Sequence, residues 1–130
     1  MAVTITFPNS KGYVGTFLQP LADMVIVGPT GRFAITACLV DTGADFLQIP
    51  ASAATKVGLL PSPTASSISI RTASGTMSMT KLTGVTVEIE GTSVTTDILC
   101  HPSGTSRALI GRTALRALTN VGFDKTDWLW

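Results

Sequence analysis

Charge is what this chain has least of. Asp, Glu, Lys and Arg make up 13% of it, against the roughly 25% usual for soluble domains. Nine basic residues oppose eight acidic ones, for a net charge of +1. With no basic surplus, nothing marks a nucleic-acid surface or an anionic-membrane footprint. The two cysteines, Cys38 and Cys100, are widely separated. In a chain without an export signal they read as small buried hydrophobes rather than a disulfide. The single histidine, His101, follows Cys100 directly. Zinc wants four converging ligands, so no metal site is expected, and no cofactor either. No nucleophile motif accompanies His101, which sets aside Cys-His and Ser-His catalysis. No apolar run approaches the ~18 residues of a membrane span. The opening stretch MAVTITFPNS lacks the basic start and long apolar segment of a signal peptide, so a cytoplasmic location is the expectation.

What is present is apolar and β-prone. Hydrophobic residues make up 45% of 130 and the mean hydropathy is +0.41. That length suits one domain with a modest core, and the apolar excess implies surface covered by a partner. Thr, Val and Ile are frequent, and Gly and Pro recur at short intervals, the pattern of an all-β domain of short strands and hairpins. Residues 24–27 and 33–40 read as strands joined by the turn GPTGR. Alternation places Phe33, Ile35, Ala37 and Leu39 on one side of the second strand and Ala34, Thr36, Cys38 and Val40 on the other. Both sides are nearly uncharged, which predicts a central strand covered on both faces. A short strand is expected over 46–49 and a short helix over 51–57, with Pro50 at its start and Gly58 at its end. SISIRTASGTMSMTKL reads as a long hairpin whose small polar tip, Thr72 to Gly75, reverses the chain. Strands follow at 85–89 and 94–99, then the loop HPSGTS. After ALIGR, TALRAL predicts a second short helix with Leu115 and Leu118 on one face. CLVDTG and ALIGR echo each other: each sets apolar residues before a glycine turn and precedes a helix.

The chemistry concentrates in LVDTGAD, Leu39 to Asp45. Hydrolysing a peptide without metal, cysteine or serine needs a base to activate water and an acid to protonate the leaving nitrogen. Two adjacent carboxylates sharing one proton can do both. Gly43 lets the backbone approach Asp41 closely, and Thr42 adds a hydroxyl that needs a partner if buried. LVDTGAD followed much later by ALIGR resembles the retropepsin-like aspartic peptidases, the single-lobe relatives of retroviral proteases, over about residues 24–122. The resemblance implies a mainly β, closed acid-protease barrel, one lobe per chain, with a flap hairpin and one or two short helices. It implies Asp41 as the catalytic acid/base, Thr42 as the threonine bonding across the dimer axis, and Gly43 as a glycine whose carbonyl meets substrate. Ala44, Asp45, the flap residues Thr72, Ala73, Ser74 and Gly75, and Ile110 would contact substrate. Asp45 would also pair with Arg112. The domain division is then an N-terminal extension or strand, 1–23, and a peptidase domain, 24–130.

One DTG motif makes half a site, so a homodimer acting on a peptide or protein substrate is expected, with neither nucleic acid nor membrane as partner. An obligate interface would also absorb the apolar excess. Val40, Phe46, Leu47, Ile49 and Ile110 are the candidate linings of apolar substrate pockets. Phe123, Trp128 and Trp130 read as core or interface. The competing reading of Asp41 as a turn acid and Asp45 as a helix cap leaves Arg112 unfavourably placed at a helix start; a carboxylate partner accounts for it. A phosphate loop in GTSRALIGRT fails on spacing, since six residues separate Gly104 from Gly111 and Arg112 replaces lysine. The rival of a different class is a catalytically silent retropepsin-like module for dimerisation or peptide binding.

Overall fold

The computed structural model describes residues 21–104 and 106–118. The expectations for the first twenty residues, for Phe123, Trp128 and Trp130, and for Thr105 of the HPSGTS loop lie outside the described residues. The fold is mainly β with two short helices: β1 (Leu21–Gly28), β2 (Gly31–Val40), β3 (Leu47–Pro50), α1 (Ala51–Lys56), β4 (Ser66–Thr72), β5 (Gly75–Ile89), β6 (Thr92–His101), β7 (Leu109–Ile110) and α2 (Arg112–Ala117). The strands join in the order β1-β2-β7-β3-β6-β5-β4, and β1 also pairs with β5. No described helix is long and apolar enough to cross a membrane.

The two echoing motifs lie side by side. β2 and β7 run parallel, with Leu39 opposite Leu109 and Val40 opposite Ile110. The apolar pairs before DTG and before GR therefore end at the same level of the sheet. Behind them lies a core in which Met24, Ile26, Leu47, Ile49, Ile89, Ile98 and Ile110 are essentially inaccessible. Each such side chain contributes about 1.5–3 kcal/mol of burial free energy.

The strand expected to be covered on both faces is not. Ala34, Thr36 and Ala37 are exposed, while Phe33 and Ile35 are half-buried and Cys38 and Val40 are buried. The inward phase switches from odd to even positions because Ala37 adopts a φ of 55°, which makes a bulge against β1 between Ala22 and Met24. Such a bulge inserts a residue and turns the side chains beyond it to the other face. Asp23 supports it, its Oδ1 accepting the Ala37 N–H at 2.9 Å.

A second bulge, between Leu82 and Val85, merges the return arm of the hairpin with the strand expected separately at 85–89. The result is one strand of 15 residues. The ladder to β6 survives because the Gly84 N–H donates to Asp97 Oδ1 at 3.3 Å, and Leu82 and Val85 both point inward. The helices fall where the punctuation places them, within a residue. α1 stops at Lys56 with Gly58 at a φ of 78°, a left-handed stop that suits glycine. α2 starts one residue early, at Arg112, and buries Ala114, with Leu118 buried just after its end.

Candidate active site

Asp41 is the first residue past the end of β2, where the chain must turn away from a buried Val40. Its backbone N–H still donates to Ile110 O at 3.0 Å, so the β2–β7 ladder fixes where the side chain begins. The turn then closes on itself. The Ala44 N–H donates to Asp41 O at 3.2 Å, and the Gly43 N–H donates to Asp41 Oδ1 at 2.9 Å. A Cβ on Gly43 would come within 3.2 Å of that same oxygen, tighter than ordinary contact, so the glycine permits the approach. Asp41 is half-buried, and Thr42 and Gly43 are exposed.

The following residues are stapled to the segment after β7. The Arg112 N–H donates to Ala44 O at 2.9 Å and the Thr113 N–H to Asp45 O at 3.0 Å. The guanidinium of Arg112 pairs with the Asp45 carboxylate. Both side chains are substantially exposed, so this pair contributes orientation and at most about 1 kcal/mol. Gly111 is a glycine for a different reason from Gly43. Its backbone angles, φ −92° and ψ −172°, suit any residue, but a Cβ would lie 2.3 Å from Phe46 O and 2.8 Å from Ala44 O. There is simply no room.

Thr113 was not singled out from the sequence, yet it is the hub of this region. Its Oγ1 accepts the Leu47 N–H at 3.1 Å and donates to Asp97 O at 3.1 Å. One hydroxyl thus ties the loop after Asp41, the start of α2 and β6 together. A threonine directly after Gly-Arg, at a helix start, was the available signal.

The structure therefore brings Asp41, Thr42, Gly43, Ala44, Asp45 and Arg112 into one loop cluster. Ile110 is also adjacent, but its side chain is fully buried in the core with those of Val40, Leu47 and Ile49. Those four fill the interior of their own chain, because inward alternation in β2, β3 and β7 directs them there. Of the five apolar pocket candidates, Phe46 keeps part of its surface. The tip residues, Thr72 at the end of β4 and Ala73, Ser74 and Gly75 beyond it, sit on a separate hairpin, with the last three exposed.

Cys38 and Cys100 are free and buried. Burial, reinforced by nearby Asp23, pushes the Cys38 thiol up to about 12, and burial pushes Cys100 to about 11. Neutral buried thiols are not nucleophiles. His101 Nδ1 accepts the Ser103 N–H at 2.9 Å. Among the described residues no cluster of three or more His, Cys, Asp or Glu could hold a metal ion.

A mainly β chain carrying Asp-Thr-Gly at a strand end, braced by an apolar Gly-Arg segment from a parallel strand, has the features of the retropepsin-like aspartic proteases. Residues 33–117 match the family model described as "gag-polyprotein putative aspartyl protease", and the chain belongs to that family. No curated protein matches it.

Proposed function

We propose that the protein is an aspartic endopeptidase of retropepsin type, active as a homodimer, cleaving extended peptides beside hydrophobic residues. In this reading β1, which pairs with both β2 and β5, closes the strands into a barrel, and the β4–β5 hairpin is a flap that covers the peptide. The observation that carries the reading is the Asp41 carboxylate held by the Gly43 amide at the strand end. Every other described acid is engaged elsewhere. Asp45 pairs with Arg112, Glu88 with Arg32 and Asp97 with Lys81. Asp23 accepts from Ala37, and Glu90 accepts from the Asp23 N–H at 2.8 Å. The second carboxylate of the pair then comes from Asp41 of another copy, across a two-fold axis.

The chemistry follows from two carboxylates that hold one proton between them. The ionised one takes a proton from the bound water as its oxygen bonds to the scissile carbonyl carbon. The protonated one donates to that carbonyl oxygen, and the tetrahedral intermediate collapses as the C–N bond breaks. The leaving nitrogen takes the proton first abstracted from water, and one hydroxyl of the intermediate returns its proton to the other carboxylate as the C=O bond re-forms, which restores the shared proton. In this reading Thr42, exposed beside Asp41, bonds across the axis beneath the pair, and Asp45, paired with Arg112, helps hold the substrate backbone.

A digest of a peptide library from about pH 3 to 8 tests this, run beside the Asp41→Asn protein and with sedimentation of both. The expected outcome is cleavage by the wild type, none by Asp41→Asn, and a dimer in each. A wild type that binds peptides and cuts none is a silent binding module, and turnover retained in Asp41→Asn rules the mechanism out. A rate still rising above about pH 9 contradicts a shared-proton pair.

A further inference from the structure

We infer that Lys81 selects an acidic side chain in the bound peptide, at a subsite it forms with Phe46; the inference rests on the peptide-binding groove proposed above. The β4–β5 hairpin is two-faced. Ile68 lies opposite Met79 and Ile70 opposite Met77, and alternation continues that apolar face to Lys81. The reverse face carries Ser67, Ser69, Ser78 and Thr80, with Ser67 and Ser78 hydroxyls bonded at 2.8 Å. An apolar face on an otherwise hydroxyl-rich hairpin faces something. Lys81 shows what: its Nζ lies 5.3 Å from the centre of the Phe46 ring, and Phe46 directly follows Asp45 in the Asp41 loop. The apolar side of the hairpin therefore looks toward the proposed catalytic loop.

A lysine on such a face lays its stem along apolar neighbours and sends its charge to the edge. Lys81 follows this rule. It lies opposite buried Leu99 on β6, and its side chain is 28% exposed. The ammonium is attracted to the Phe46 ring and to Asp97 Oδ2, at 3.9 Å. That separation exceeds hydrogen-bond reach, so Asp97 steadies the charge while its N–H donors stay open to an acceptor. An extended ligand presents alternate side chains to each wall. One that passes Phe46 meets an aromatic surface ending in ammonium donors, which suits the methylene stem and carboxylate of glutamate.

Peptides differing at a single position, Glu, Gln or Lys, and scanned along the sequence, test this. Binding is measured on the Asp41→Asn protein, so that catalysis plays no part, with Lys81→Met and Lys81→Glu introduced into that background and folding checked by circular dichroism. At one position the parent binds the Glu peptide about fivefold tighter than the Lys peptide, the scale of a partly exposed ion pair. Lys81→Met brings the ratio near unity, and Lys81→Glu inverts it. A ratio unchanged in folded Lys81→Glu, or a library with no Glu-selective position, overturns the inference. Binding with the expected ratio but no cleavage by the wild type removes the catalytic reading and leaves this one standing.

Discussion

At the scale of single residues, the site is governed by which polar groups have somewhere to go. Asp41 is held by the Gly43 amide two positions on, a local relation that the DTG triplet itself encodes. Thr113 is the contrasting case. Its hydroxyl serves Leu47, 66 positions away, and Asp97, 16 away, and no local pattern announces either partner. Thr113→Val keeps the shape and deletes both bonds, leaving the Leu47 N–H and the Asp97 carbonyl unmatched by the side chain. A loss of about 2 kcal/mol is expected, read as a lower denaturant midpoint at unchanged slope. Thr113→Ser keeps the hydroxyl and recovers most of it. No loss in Thr113→Val beside a clear loss in Thr113→Ser would show that the methyl packing matters, and the hydroxyl does not.

At the scale of elements, the junction between β7 and α2 sets how closely the Asp41 loop can approach. Gly111 is the contact point, since a side chain there meets backbone oxygens, which cannot swing aside as a flexible side chain can. Gly111→Ala therefore destabilises by about 3 kcal/mol through overpacking alone, with no contribution from backbone angles. Thermal unfolding checks the size, and a neutral result would mean the two segments separate freely. The same close approach explains why Gly-Arg was readable in the sequence: steric exclusion leaves one residue type. The bulges were not readable. Ala37 bears no mark of its positive φ; the conformation comes from Asp23, on the neighbouring strand. The alternation that predicts two covered faces holds on either side of the bulge and changes phase across it.

At the scale of the whole molecule, the buried thiols give a pH dependence with a definite sign. Cys38 and Cys100 titrate near 12 and 11 when folded, and near the ordinary 9.0 when unfolded. Below that ordinary value both states keep the protons and nothing is lost. Above it the unfolded chain releases protons that the native chain retains, so stability falls as pH rises. Thermal midpoints are expected to drop from about pH 9 upward, and less steeply in a Cys38→Ala, Cys100→Ala variant. Equal slopes in the two proteins would assign the alkaline loss to other groups.

The sequence by itself determined the β character, the approximate place of each helix and the family motif that carries Asp41. Alternation, helix punctuation and the DTGAD and LIGR motifs each act over a few neighbouring residues. Only the tertiary structure decided that Val40, Leu47, Ile49 and Ile110 are interior, that β2 changes face at Ala37, and that Thr113 and Lys81 meet the Asp41 loop. Those outcomes depend on which strands lie side by side and in what register. An apolar residue beside a catalytic motif looks the same in sequence whether it faces the core or a ligand, and the ladder that carries it settles the matter.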